Sequence, residues 1–333
     1  MHRRGRPALT SSDPGSVDLS RRARRRVTTR PKTGLVALAA LLAAFCGAGA
    51  YAQSLEPRSY SELPVGMNFL GVGYSYASGG VTFDPSVPIT NAQITTNTEA
   101  VAYVRSFGLW SKSAKFDVVA PVVSLTGSAD VDGQSKTRDI AGLADPAFRF
   151  SLNFIGAPAL NLEQFHGYRQ DLIVGASLRV TAPWGQYDDT RLVNIGTNRW
   201  SYKPELGISK ALGSWTCDMY AGATFYSEND QFLRTGTVQQ DPLYSMQAHV
   251  VRNLPRGVWV AADATYYWGG RTTVNGRRTD TLQANSRFGL TVALPLNRHN
   301  SIKLYGATGV SSRTHANFND AGIAWQYRWG AGL

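Results

Sequence analysis

Apolar and polar residues alternate along most of this chain, from Asn68 to its end, in runs of about ten residues separated by breaks. A period of two is the pattern of a β-strand whose two faces have different surroundings. In the last run, residues 321–329, one face carries Ile323, Trp325, Tyr327 and Trp329, and the other carries Ala324, Gln326 and Arg328. Such a strand suits a half-buried sheet of a soluble sandwich, and equally the wall of an outer-membrane barrel whose apolar face meets lipid.

About twelve runs of this kind follow one another, which predicts an all-β fold. They cover residues 70–76, 101–107, 116–122, 148–154, 172–180, 200–208, 217–225, 244–250, 258–268, 288–294, 302–305 and 321–329. Pro121 is an irregularity within the third run, because proline cannot donate a ladder hydrogen bond. An even number near twelve lies toward the low end of the range for transmembrane antiparallel barrels.

The connections between the runs alternate in length. Long connections cover residues 79–93, 127–144, 182–198, 227–241 and 269–284, and short ones cover residues 108–113, 211–214, 253–256 and 297–300. The connection 156–170 departs from this order, being long where a short turn is due. Sorted loop lengths are typical of a membrane barrel with short periplasmic turns and long extracellular loops, and a sandwich has no reason to sort them.

One face of the runs carries almost no charge, and the opposite face carries most of the charged residues. An Arg or Lys facing lipid costs about 2–4 kcal/mol at mid-bilayer, so the charged face is predicted to line the lumen. The candidate lumen-lining residues are Arg149, Arg179, Lys203, Glu205, Asp218, Tyr220, Trp259, Asp263, Tyr267, Arg287 and Arg328. Their guanidinium groups suit a carboxylate or phenolate and their aromatic rings suit an aromatic solute. The alternative is that these side chains simply fill a narrow barrel.

The chain begins with a basic leader. Residues 1–32 hold ten of the 34 basic residues and two of the 23 acidic ones, so most of the net charge of +11 belongs to the leader and indicates no nucleic-acid partner. Residues 33–52 have the apolar stretch and small-residue cleavage site of a secretory signal, which predicts a mature chain from Gln53 and, given the leader's length, a true translation start near Val27. The predicted organisation is therefore leader 1–52, a short periplasmic segment 53–66 and a barrel 67–333.

Catalytic and metal chemistry find little support in the sequence. Cys217 is the one cysteine outside the leader, so no internal disulfide is expected. His249 lies mid-strand on the polar face, but Ser245 on the same face is roughly 13 Å away along the strand. These two side chains cannot form a nucleophile–base pair, and no enzyme activity, metal or cofactor is predicted.

Five motifs carry a family resemblance. They are G-L-A-D-P-A-F-R-F at 142–150, A-P-W-G-Q-Y at 182–187, N-R-W-S-Y-K-P-E-L-G-I-S-K at 198–210, Y-Y-W-G-G-R-T at 266–272 and A-W-Q-Y-R-W at 324–329. With them the chain resembles the outer-membrane proteins labelled transporters of the meta-cleavage pathway of phenol degradation. The resemblance implies a Gram-negative outer-membrane β-barrel associated with aromatic catabolism. One departure is Gly-Ala-Gly-Leu after Trp329, where barrels of this class often end on an aromatic residue.

These observations predict an outer-membrane channel that passes small solutes, including aromatic or hydrophobic ones, by passive diffusion. A surface or adhesion barrel acting through its long loops is the first alternative, and a barrel hydrolase is the second. The expected partners are outer-membrane lipid, the barrel-assembly machinery that follows export by the general secretory route, and the solute. The basic loop 269–278 is interpreted first as a solvated hairpin tip, with contact to lipopolysaccharide phosphates or attraction of anionic solutes as the alternative.

Overall fold

The computed structural model describes residues 55–81, 89–131, 133–191, 193–313 and 317–333. The predicted signal peptide and the translation start lie outside these residues. The described strands, in chain order, are β1 (Met67–Val81), β2 (Ile89–Leu109), β3 (Lys112–Val131), β4 (Gln134–Leu143), β5 (Ala147–Ile155), β6 (Leu172–Thr181), β7 (Ser201–Leu212), β8 (Trp215–Tyr226), β9 (Asn229–Phe232), β10 (Gly236–Gln240), β11 (Leu243–Asn253), β12 (Trp259–Gly269), β13 (Thr272–Val274), β14 (Arg277–Arg278), β15 (Gln283–Pro295), β16 (Asn300–Ser312) and β17 (Phe318–Gly330).

Twelve of the described strands form a closed antiparallel ring. Around it run β1, β2, β3, β5, β6, β7, β8, β11, β12, β15, β16 and β17, and β17 pairs back onto β1. The closing register extends from Met67 opposite Gly330 to Gly79 opposite Phe318. The ring therefore has no free edge, which satisfies backbone groups that lipid cannot hydrogen-bond. The prediction of about twelve strands is confirmed.

One wall of the barrel is taller than the sequence pattern predicted. β3 continues to Val131 and β4 returns beside it, so most of the predicted loop 127–144 is strand. This part of the prediction was wrong because polar residues occupy both faces of the hairpin. A hairpin that rises above the bilayer has water on both sides and loses the alternation by which strands are recognised.

The tall hairpin also contains a break. β3 pairs with β4 from Val122 onward and with β5 up to Val119, and Pro121 lies between the two pairings. Proline has no N–H to donate to the ladder, which accounts for an irregularity at this position. The backbone N–H of Ala144 donates to the carbonyl oxygen of Pro121 at 2.9 Å and bridges the gap.

The outer face of the barrel is apolar, as predicted. On β17, Trp325 and Tyr327 are 40% and 36% exposed, whereas Gln326 between them is turned inward. The same alternation exposes Val72, Tyr74, Val101, Phe116, Phe150, Leu178, Leu206, Ile208, Met219, Phe225, Met246, Val250, Phe288, Leu290, Leu304 and Ile323. Such a belt with stacked aromatic residues near its edges identifies a transmembrane β-barrel.

Smaller elements cover the two rims. On the side of the long extracellular loops, β9, β10, β13 and β14 form a second sheet around the buried side chains of Phe232, Val238 and Val274. On the periplasmic side, the long connection after β5 contains the helix α1 (Leu162–Gly167). A single 3₁₀ turn, Pro255–Gly257, precedes β12. None of the helices in the described ranges is both long and apolar enough to cross a bilayer.

The two faces of β17 allow a direct test. Trp325→Arg places a cation on the lipid face, at a cost of up to about 2–4 kcal/mol depending on depth, and should impair membrane assembly. Gln326→Arg places the same side chain in the wet interior and should be tolerated. Heat-modifiable electrophoretic mobility of the membrane fraction measures folded barrel. Equal tolerance of both substitutions would mean that the two faces are assigned the wrong way round.

Candidate functional site

The segment that precedes β1, described from Leu55 to Gly66, lies inside the barrel. The sequence had placed residues 53–66 in the periplasm, but the described part of this segment contacts the inward faces of the wall strands. Where the segment joins β1, the N–H of Gly66 donates to the carbonyl oxygen of Ser106 at 3.0 Å. The N–H of Met67 donates to Ser106 Oγ, also at 3.0 Å. The chain upstream of the first strand is thus held against β2 and enters the lumen from its periplasmic end.

Glu56 anchors the segment to two arginines of the wall. One carboxylate oxygen accepts from Nη1 of Arg149 on β5, and the other accepts from Nη2 of Arg179 on β6 at 2.5 Å. Arg149 is also paired with Asp117 of β3 at 3.0 Å. Among the described residues, Glu56 is the acidic partner of Arg179. Because a charge removed from water needs a counter-charge, the segment and the wall neutralise each other.

The ionised state of the Glu56 carboxyl favours its ion pairs with the wall. Burial opposes the charged form of Glu56, but the neighbouring Arg149, Arg179 and Lys203 outweigh burial and hold the pKa of the carboxyl well below its usual range. Burial, with the nearby Glu205, raises the pKa of the Tyr60 phenol. Near neutral pH, Glu56 is therefore an anion and Tyr60 is a neutral phenol.

The backbone of the segment is bound by side chains of β8. The N–H of Arg58 donates to Asp218 Oδ2 at 3.0 Å, and the N–H of Ser59 donates to the hydroxyl oxygen of Tyr220 at 3.1 Å. The Arg58 guanidinium lies 5.6 Å from the ring centroid of Trp259, within cation–π range. Three of the predicted lumen residues therefore bind this chain's own N-terminal segment.

The Tyr60 ring fills a notch in the wall. Gly175 of β6 and Gly207 of β7 lie directly opposite each other in the strand register, and both face inward. A Cβ on Gly175 would lie 2.6 Å from Cδ1 of Tyr60, and a Cβ on Gly207 would overlap the ring. Tyr220 meets the ring edge-on at 5.1 Å between centroids. Tyr60 is only 1% exposed as a result.

Polar groups hold the two ends of Tyr60. Its hydroxyl lies 3.1 Å from Ser177 Oγ and donates at 3.3 Å to both the backbone oxygen and Oε1 of Glu205. Glu205 is paired in turn with Lys203 at 2.8 Å. At the other end, Nδ2 of Asn153 donates to the backbone oxygen of Tyr60 at 3.0 Å.

The opposite side of the lumen is lined by small, uncharged residues. The inward positions of β1, β2 and β17 there include Gly71, Gly73, Ser75, Ala100, Ala102, Gly322 and Ala324. Lys303 of β16 also faces inward and is exposed, and it makes no ion pair with any described residue. Its exposure shows that water reaches this side of the lumen. The ring of Tyr305 on β16 lies over Gly322 of β17 on the same side. The segment therefore narrows the barrel from the side that faces β16, β17 and β1.

Four of the predicted lumen residues lie apart from the segment. Arg287 pairs with Asp320 near the extracellular end of the barrel. The side chain of Tyr267, on β12, is fully buried. Arg328 lies at the periplasmic rim, where its Nε donates to the carbonyl oxygen of Arg298 at 2.7 Å. Asp263 belongs to a separate buried group. The structure thus brings seven of the eleven predicted residues around the segment: Arg149, Arg179, Lys203, Glu205, Asp218, Tyr220 and Trp259.

The buried group around Asp263 bears on the hydrolase alternative. His249 Nδ1 lies 2.6 Å from Asp263 Oδ1, and Thr291 Oγ1 donates to Asp263 Oδ2 at 2.7 Å. No hydroxyl in the described part of the chain is hydrogen-bonded to His249 Nε2, and Ser245 Oγ likewise has no partner there. In the same residues, no three His, Cys, Asp or Glu side chains lie close enough to hold a metal. The arrangement is that of a buried histidine held by a carboxylate.

Sequence reasoning missed the residues that the segment itself contributes, namely Glu56, Arg58 and Tyr60. A signal was present on the wall, because Gly175 and Gly207 stand at inward positions where a packed barrel would place side chains. Their alignment across two strands, however, depends on the pairing register, which the sequence does not show.

Comparison with known proteins supports the architecture. The sequence profile of the family described as "Putative MetA-pathway of phenol degradation" matches residues 77–327. A crystal structure of an outer-membrane channel from Pseudomonas putida F1 superposes with a TM-score of 0.71 at 20% identity, covering 83% of this chain and 100% of that chain. The β domain of the Bordetella autotransporter BrkA gives a TM-score of 0.47 at 10% identity, covering 80% of this chain and 100% of that chain. No curated protein sequence matches the chain significantly.

Removal of the Glu56 charge should loosen the segment. Glu56→Gln leaves Arg179 without its acidic partner. The cost should be smaller than the about 3–5 kcal/mol of a fully buried pair, because a quarter of the Glu56 side chain is exposed. Trypsin should then cut the folded protein faster after Arg58, as measured by mass spectrometry. Glu163→Gln on the exposed face of α1 is the matched control, and equal cleavage of both variants would contradict the anchoring role.

Proposed function

This chain belongs to the family described as "Putative MetA-pathway of phenol degradation", and we propose that it is an outer-membrane channel through which small solutes, aromatic ones among them, cross by passive diffusion. The observation that carries the proposal is the exposure of Lys303 on the inward face of β16, beside small inward residues of β17 and β1. The solved barrel with the same architecture is itself described as an outer-membrane channel.

The mechanism needs no energy source. A solute would move down its gradient along the strip formed by the inward faces of β16, β17 and β1, opposite the segment. Lys303 lies on this strip and has no ion-pair partner in the described part of the chain, so its charge contributes directly to the field that a passing ion experiences. The paired charges around the segment contribute less to this field, because each has a counter-charge within about 3 Å.

The alternatives predict different behaviour. A surface or adhesion barrel would act through the outer sheet of β9, β10, β13 and β14, whose exposed Arg277 suits the phosphates of lipopolysaccharide. Arg278, in the same loop, is paired with Asp241 at 2.5 Å, which favours a structural role for that residue. A hydrolase would need a nucleophile beside His249. Insertion by the barrel-assembly machinery after export by the secretory route is part of the same proposal.

Conductance tests the channel. Purified protein in planar bilayers should give discrete current steps, and Lys303→Glu should shift the reversal potential in a salt gradient toward greater cation preference. Lys136→Glu makes the same charge change on β4 near the extracellular rim and should shift it much less.

Two results would contradict the proposal. Absence of both current and solute uptake in liposomes, from protein shown to be folded, would remove the channel and favour the surface-barrel alternative. An equal shift in Lys303→Glu and Lys136→Glu would mean that the current does not pass the strip assigned here.

A further inference from the structure

We propose that the lumen contains a phenol-binding slot, which the side chain of Tyr60 occupies as an internal ligand and which a phenolic solute takes when the segment moves aside. The slot is formed by Gly175, Gly207, Tyr220, Ser177 and Glu205. This inference rests on the proposed function, because a solute reaches the slot only by entering the lumen.

The shape of the slot fits a flat ring. Gly175 and Gly207 leave the backbone of two adjacent strands bare at the same level, so a planar group can lie directly on the sheet. Tyr220 supplies an edge-to-face contact, the arrangement that aromatic pairs favour. Ile173 and Ala157 complete the apolar surroundings, and both are essentially unexposed. An aliphatic chain would leave much of this slot empty.

The polar end of the slot fits a hydroxyl attached to the ring. Two acceptors, the backbone oxygen and Oε1 of Glu205, converge at 3.3 Å on the position of the phenolic oxygen, and Ser177 Oγ lies at 3.1 Å. A ring without an O–H donor would leave these buried acceptors short of a hydrogen bond. The negative charge of Glu205 disfavours a phenolate. The slot therefore selects a neutral phenol over a hydrocarbon or an aryl ether.

The way in which the segment is attached allows a phenolic solute to replace the Tyr60 ring in the slot. Residues 55–66 form no strand ladder with the wall, and mainly ion pairs and hydrogen bonds to individual side chains hold them in the lumen. Tyr60 is the only aromatic residue in this stretch, so its ring supplies much of the apolar contact that holds the segment. A phenol that occupies the slot removes this contact and leaves the segment held by exchangeable polar groups.

The first experiment measures release of the segment in the full-length mature protein. In a Cys217→Ser background, Ser61→Cys next to the slot should react slowly with a bulky maleimide. Phenol should accelerate the reaction in a saturable way. Anisole, which has the ring without the O–H donor, should need at least about fivefold higher concentration for the same effect. Tyr60→Ala added to this background should react fast at once, with no further acceleration by phenol.

The second experiment measures the slot itself. Calorimetric titration should show phenol binding to Tyr60→Ala, whose slot is empty, and at least about tenfold weaker binding to Tyr60→Ala/Gly207→Val, whose slot is filled from the wall. Tyr60→Ala/Gly73→Val, altered on the opposite side of the lumen, is the matched control and should bind like Tyr60→Ala.

The outcomes separate this inference from the channel. Equal effects of phenol and anisole on labelling, or equal phenol binding by the Gly207→Val and Gly73→Val double variants, would overturn the slot. If bilayer currents persist in that case, the proposed channel stands without it. Absence of both current and liposome uptake from folded protein would overturn the proposed function, whatever the titrations show.

Discussion

The pairing of the first strand with the last is the constraint on which the rest of the structure depends. A backbone that crosses lipid must satisfy every N–H and carbonyl within the protein, and a sheet can do so only by closing. β1 and β17 close this ring over thirteen residue pairs. Closure turns one face of every strand toward lipid and the other toward a common lumen. The outward belt of Val, Leu, Ile, Phe, Tyr and Trp and the inward charges are both consequences.

Closure also creates a difficulty, because it gathers charged side chains from many strands into a narrow space. Charges there need counter-charges or water. The wall meets this need partly by itself, through the pairs Arg287–Asp320 and Lys203–Glu205. Arg179 is neutralised from outside the wall, by Glu56. The segment before β1 therefore belongs electrostatically to the barrel, and the lumen in its present form is incomplete without it.

A feature of this fold can be predicted from the sequence when its cause lies within a single strand. The strands, their faces and the sorted loops could be predicted from the sequence, because lipid imposes a period of two on each strand separately. The hairpin of β3 and β4 could not, since above the bilayer water surrounds both faces and the period disappears. The charged lumen residues were identifiable because lipid excludes them, but their partners depend on strand register.

The course of residues 55–66 could not be predicted either, and for a different reason. A segment without strand or helix has no periodic pattern, and its position depends on the shape of a lumen that forms only after the barrel closes. Gly175 and Gly207 illustrate the point. In the sequence they are two ordinary glycines 32 positions apart, and only the pairing of β6 with β7 makes them one notch.

The short connection from Tyr60 to the first strand determines how readily the Tyr60 ring leaves the slot. A ligand joined to its site by a few residues is present at an effective concentration on the order of millimolar or more, so a free solute must compete at that level unless it binds more tightly. A ring held by two glycines, one aromatic edge and one hydroxyl pocket has limited affinity, which allows competition in both directions. The same short connection from Tyr60 to Met67 returns the segment to its place when the solute leaves. An internal ligand of this kind keeps the barrel narrow when solute is scarce and lets it widen when solute is abundant, without an energy source.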